Sequence, residues 1–201
     1  MSVDFLKHFK QRLGTIATLA QTDQEQPVRV FAQDECRLGL HLPRPRRLTA
    51  RGVKPIQVVN PLYESYWLYA AVEPTSGETF WWEFPSLDAD CFTVFLHRFG
   101  RHYSDSLNLI VLDQAPAHVA KRAAIPSNVV LIWLPPYSPE LNPVERLWED
   151  LKSRLDVVDV RVRSSLQGLR DHVADLIRCY QSQEIASLTG YAYLVEAINA
   201  L

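Results

Sequence analysis

Cysteine is scarce in this chain: 201 residues contain three, Cys36, Cys91 and Cys179, far apart and odd in number. That pattern excludes a disulfide framework and a zinc signature, and it suits a reducing compartment. Long apolar runs are missing as well. No stretch reaches the roughly 20 residues that a bilayer crossing needs, and the N-terminus lacks the charged-then-apolar layout of a secretion signal. The expectation is a cytoplasmic protein with no membrane partner. Strong charge of one sign is absent too, since 21 Lys and Arg against 23 Asp and Glu leave a net charge of -2. Any surface for a polyanion must therefore be a local patch. There is no internal repeat, and the 13 prolines sit in short connections rather than in a low-complexity tract. With 47% hydrophobic residues and no linker, residues 1–201 are expected to form one domain with a real core.

What is present alternates between strand and helix signals. Residues 4–19 carry Phe5, Phe9, Leu13, Ile16 and Leu19 at helical spacing. Residues 28–32 (VRVFA) are an almost wholly apolar run of the kind found in a central strand. Two aromatic-rich strands follow at 66–72 and 79–84, joined by the turn Glu73-Pro74-Thr75-Ser76-Gly77. A helix over 90–102 is entered through Ser86 or Asp88 as its cap. Apolar strands at 107–112 and 129–134 bracket a short helix expected after Pro116. From Pro143 onward the chain reads as helices, broken near 157–163 by a β-branched stretch with no clear assignment. This order predicts an α/β domain with a mixed five-stranded sheet flanked by helices, with extra C-terminal helices. Residues 1–25 are its N-terminal helix and lead-in, 26–155 the core, and 156–201 the C-terminal helices.

Two of the apolar runs end in an aspartate: VRVFAQDE gives Asp34 and LIVLDQAPAH gives Asp113. In open α/β sheets, ligands gather at the carboxyl ends of strands, so neighbouring strands would aim both carboxylates into one crevice. Glu145 stands at the start of a helix behind the proline-punctuated loop LPPYSPELNPVERLW, and it could join them if that helix packs across the edge. Three hard oxygen donors suit Mg²⁺ or Mn²⁺, and two ions about 3.5–4 Å apart would serve an in-line phosphoryl displacement. Each acid also has a purely structural reading. A strand-end aspartate can form a turn or cap a helix. Glu145 lies three residues after Asn142, with Pro143 at the first helical position, and there it could reach back to the Asn142 amide in a capping box.

The motifs QDE (33–35), LDQAPAH (112–118) and LPPYSPELNPVERLW (134–148) resemble those of DDE transposases of the Tc/mariner superfamily, especially its bacterial insertion-sequence branch. The resemblance runs from about residue 28 to 155. It implies a ribonuclease-H-like fold, two divalent ions, and DNA cleavage with strand transfer at transposon ends. It also implies a homodimer on DNA, a nucleoid-associated location, and Asp34, Asp113 and Glu145 as catalytic and metal-binding residues. Two departures stand out. Only 31 residues separate Asp113 from Glu145, fewer than the family usually has. Some thirty residues precede Asp34, too few for the family's helix-turn-helix modules. The chain thus reads as a catalytic half that could work with an upstream helix-turn-helix polypeptide. An inactive DNA-binding or regulatory remnant and a stand-alone metal-dependent nuclease are the alternative readings.

Residues near the motifs take lesser roles. Arg44, Arg46, Arg47, Arg51 and Lys54 form the strongest basic patch, which could contact phosphates or could be a solvated loop. His118 could touch a phosphate or act as a structural histidine. Strand alternation should turn Glu35 away from Asp34, and Glu140 and Glu149 rank below the three acids. Cys36 reads as a small buried hydrophobe rather than a nucleophile. Trp67, Trp81, Trp82 and Trp133 read as core packing rather than base-stacking residues. Trp148 is expected to anchor its helix to the sheet.

Overall fold

The computed structural model describes residues 2–20, 26–40, 50–52, 63–118, 124–156 and 165–201, with side chains from Phe5 onward except those of residues 6 and 7. The elements in chain order are α1 (Ser2–Ala20), β1 (Val28–Gly39), β2 (Ser65–Val72), β3 (Thr79–Phe84), α2 (Ala89–His102), β4 (Leu107–Leu112), β5 (Val129–Trp133), a 3-10 turn (Pro139–Leu141), α3 (Val144–Asp156), α4 (Leu166–Cys179), α5 (Ser182–Thr189) and α6 (Ala192–Ile198). The sheet order is β3-β2-β1-β4-β5. β1 runs parallel to β4, and β4 to β5, while β1–β2 and β2–β3 are antiparallel. This is the mixed sheet that the sequence predicts. No helix among the described residues is long and apolar enough to cross a membrane.

Side-chain alternation divides the core into two layers. One face of β1 offers Val30, Ala32, Cys36 and Leu38 to a cluster that includes Phe9 and Leu13 of α1 and Leu147, Trp148 and Leu151 of α3. The other face contributes Phe31, which meets Phe92, Phe95 and Phe99 of α2 together with Ile110 and Leu112. Every residue of β4 is buried, as a central strand covered on both faces requires. Asp88 caps α2, accepting from the amides of Asp90 and Cys91 at 3.0 and 2.8 Å. The lead-in helix is part of this core: Phe9 meets Tyr193 of α6 edge-on at 5.3 Å.

One expectation needs correcting. β1 does not stop at Ala32 but continues to Gly39, because β2 goes on supplying backbone partners from Ala32↔Val72 to Gly39↔Ser65. Asp34 therefore sits inside a strand rather than past its end. After Pro116 the described chain forms a turn over 116–118, and the rest of the expected short helix lies outside the described residues. The β-branched stretch at 157–163 also lies outside them.

Candidate active site

The site begins where two parallel strands part. β1 and β4 stay in register from Val28↔Leu107 to Ala32↔Val111. β4 then ends at Leu112, while β1 continues with β2, where Asp34 stands opposite Ala70. Asp34 and Asp113 thus emerge together at the carboxyl edge of the parallel pair, the usual position for a ligand crevice.

The proline-rich loop brings the third acid to the same edge. The Leu134 amide donates to the Leu112 carbonyl at 2.8 Å, and Gln114 Nε2 donates to the Leu134 carbonyl at 2.8 Å. The chain then passes through the 3-10 turn to Asn142, which is buried. Asn142 Oδ1 accepts from the Val144 amide at 3.2 Å, capping α3, and its Nδ2 donates to the Gln33 carbonyl at 2.9 Å. That second bond ties the start of α3 to β1 beside Asp34. The alternative reading of Glu145 as a capping-box acid is not supported, because the Asn142 amide donates to the Pro139 carbonyl at 2.9 Å. Glu145 faces a cavity instead. One turn on, the fully buried Trp148 packs edge-on to Trp81 at 5.6 Å and donates its indole N–H to Asp34 Oδ2 at 2.9 Å. It anchors α3, as expected, and also holds a site carboxylate.

Asp34, Asp113 and Glu145 line a single cavity of about 460 Å³, together with Gln114, Asn142, Tyr137 and the prolines of the loop. Asp113 is exposed; Asp34 and Glu145 are partly buried. Burial first, then the nearby Glu35 and Glu145 carboxylates, hold Asp34 well above the usual carboxylate range. Burial also raises Glu145; Lys152 opposes this, while Glu149 and Asp113 add to it. The pocket is thus crowded with negative charge. Among the described residues, no three His, Cys, Asp or Glu side chains already surround one cation position. The donor chemistry nonetheless fits a hard divalent cation, which would offset the burial and the carboxylate repulsion that raise Asp34 and Glu145.

His118 has a role that the sequence did not disclose. Its ring is 1% exposed, with Nδ1 2.8 Å from Asp113 Oδ1 and Nε2 2.9 Å from Glu35 Oε1. Burial alone would lower its pKa, but the Asp113 and Glu35 carboxylates push it up to about 10. The same contact lowers Asp113. With both ring nitrogens bonded to carboxylates and the ring enclosed, the contacts fit the structural reading of His118 rather than the phosphate contact. Glu35 does point away from Asp34 along the strand, yet it joins the site through this ring.

The remaining candidates among the described residues sit apart from the cavity lining. Arg51 occupies an exposed turn, while Arg44, Arg46, Arg47 and Lys54 lie outside the described residues. Glu140 and Glu149 are exposed. Cys36 is buried, and burial pushes its thiol up to about 11, which makes it a poor nucleophile. Trp67, Trp81 and Trp133 pack partly buried against the core, but Trp82 is exposed at the sheet edge, where Arg98 lies 4.1 Å over its ring. Asn142 caps α3 as the sequence suggested, while the Asn142–Gln33 bond, the Glu35–His118 bridge and the Trp148–Asp34 bond are the site contacts that sequence reasoning missed.

A family model described as DDE superfamily endonuclease matches residues 29–167. An uncharacterized protein of Sinorhizobium fredii (strain NBRC 101917 / NGR234) is 36% identical over 87 residues, which make up 43% of this chain and 64% of that protein. Among solved structures, the Mos1 mariner paired end complex with Mn aligns with a TM-score of 0.63 at 13% identity, covering 96% of this chain and 61% of that one. The Mos1 strand transfer complex gives 0.62 at 12% identity, with 96% and 60% covered. At such identities the likeness is one of fold, and the fold is the ribonuclease-H-like fold of the Mos1 transposase. The chain spans 60–64% of the length of these relatives.

Proposed function

The chain belongs to the DDE superfamily of endonucleases, and on that premise we propose that it is a transposase catalytic domain that cuts DNA at transposon ends and joins them to target DNA. The observation that supports this reading best is the convergence of Asp34, Asp113 and Glu145, from three separate elements, on one cavity. In this reading the three carboxylates hold two Mg²⁺ or Mn²⁺ ions, which when bound supply charge neutralisation and activation of the attacking oxygen. The bacterial insertion-sequence branch is the assignment that the three motifs favour.

The chain's own residues set the geometry. Trp148 orients Asp34 through its indole N–H, and Asn142 locks the first turn of α3 onto β1, so Glu145 is carried on a rigid element. His118 supplies a buried positive charge that holds Asp113 in its ionised form and compensates Glu35. Such fixed groups contribute by positioning and by preorganised electrostatics, the two main sources of rate in phosphoryl transfer. No covalent bond to the protein is needed. Arg44, Arg46, Arg47, Arg51 and Lys54 are assigned to the DNA backbone, whose binding should weaken steeply with salt. The working assembly is a homodimer on DNA in the cytoplasm, at the nucleoid, with an upstream helix-turn-helix polypeptide recognising the ends. Residues 1–201 act as one catalytic domain, with 26–155 as its core.

The test is a labelled element end incubated with Mg²⁺ or Mn²⁺, with and without that upstream polypeptide. Cleavage followed by joining is expected. Nicking without joining would indicate a stand-alone nuclease, and binding without cleavage a regulatory remnant. Glu145→Gln should abolish cleavage while leaving the metal-free melting temperature unchanged, since the Glu145 carboxylate does not cap α3. Full cleavage by this variant would remove Glu145 from the site.

A further inference from the structure

Two observations single out Tyr137 at the rim of the acidic cavity. Its side chain is 100% exposed. Its backbone has φ 57, the one positive value among described non-glycine residues. A left-handed backbone is unfavourable for a tyrosine, and a ring wholly in water returns no burial that would offset it. The turn at Pro136–Tyr137 sets this backbone, yet among the described residues no packing of the ring offsets its cost, and an exposed aromatic held this way at a cavity rim points to a ligand. Tyr137 lines the same cavity as the three acids, beside Leu134, Pro135, Pro136 and Pro139. The cavity thus has a carboxylate floor and an apolar, aromatic rim.

We propose that Tyr137 is a nucleobase subsite: its ring stacks on an unpaired base of the strand whose phosphodiester lies among the acids. The inference rests on the DNA-cleavage reading above and extends it to how the strand is held. A nucleotide has the matching polarity, with a phosphate for the cation-holding floor and a flat π face for the rim. The ring is a rigid platform, and the flanking prolines keep the loop from collapsing onto it. Stacking of this kind tolerates any sequence and requires the base to be out of the duplex.

The test uses a mixed-sequence single-stranded oligonucleotide carrying one 2-aminopurine, and the same strand fully paired, with the whole chain in Mg²⁺. Binding of the single strand should quench the fluorescence. Tyr137→Ala should lose the quench and weaken binding by about 5- to 150-fold, the range measured for one stacked base. Tyr137→Phe should keep both. Tyr137→Gly should bind as poorly as Tyr137→Ala yet melt no lower than the native chain, because glycine accepts the left-handed backbone. Binding by Tyr137→Ala within twofold of the native chain would overturn the proposal. So would equal losses in Tyr137→Phe and Tyr137→Ala, which would assign the effect to the hydroxyl. A change of oligomeric state in Tyr137→Ala with the quench intact would make Tyr137 a protein contact and also overturn it. If Glu145→Gln abolishes cleavage while Tyr137→Ala binds normally, the subsite fails and the cleavage reading stands. If the native chain never cuts DNA, the cleavage reading fails on its own.

Discussion

His118 and Glu35 make the residue-scale argument concrete. Each side chain is nearly sealed from solvent, at 1% and 4% exposed, and the two lie 2.9 Å apart, so the contact is a buried pair. Breaking a buried pair by removing one partner strands the other charge. His118→Ala should accordingly cost about 3 kcal/mol in urea-induced unfolding. A loss near zero would show that Glu35 finds other partners. A second ion pair, away from the site, sets a pH dependence. Arg29 donates to Glu73 at 2.9 and 2.7 Å and lies 4.6 Å over the Tyr103 ring. Burial would raise Glu73, but the Arg29 and Ser76 hydrogen bonds outweigh it and hold its carboxyl below 4.5. A depressed folded-state pKa means that the pair stabilises above pH 4.5 and loses that contribution as pH falls through the folded value. Glu73→Gln should therefore lower stability at pH 7 by about 1–2 kcal/mol and flatten the acid side of the stability profile. An acid limb identical to the native one would contradict this.

At the scale of elements, the β2–β3 turn is docked by the C-terminal helices. Gly77 has φ 73, and a Cβ built there would lie 1.8 Å from the Ser182 carbonyl oxygen at the start of α5. Gly77→Ala combines backbone strain with a clash against main chain. It should destabilise by at least about 3 kcal/mol. Gly52 has a similar φ of 86 with open space around it, so Gly52→Ala should cost only about 1 kcal/mol. Equal melting temperatures for the two variants would refute the clash. The elements also show which parts of the fold were legible. β4 was plain because a strand buried on both faces is apolar throughout. β1 was cut short because its second half, QDECRLG, places site residues where a strand would normally show hydrophobes. Its alternation survives in Cys36 and Leu38, but Gln33, Asp34 and Glu35 hide it. The Asn142–Gln33 bond spans 109 residues, and no local pattern announces such a contact.

For the molecule as a whole, the fold acts by bringing distant residues together. A parallel pair of strands supplies two aspartates, and a helix pinned across their carboxyl edge supplies a glutamate. The three acids were visible in the sequence because each lies next to a strong local signal: an apolar run or an Asn-Pro helix start. Their surroundings were not visible, because Trp148, His118 and Asn142 act through contacts that only the tertiary structure creates. The account stands on the three carboxylates acting as one cation site. Calorimetric titration of the DNA-free chain with Mn²⁺, paired with its thermal unfolding, tests that directly. The native chain should bind and gain about 2.7 kcal/mol of stability at 100 times the dissociation constant. Asp34→Asn, Asp113→Asn and Glu145→Gln should each lose most of that binding. Binding by all three variants at native affinity would contradict the account.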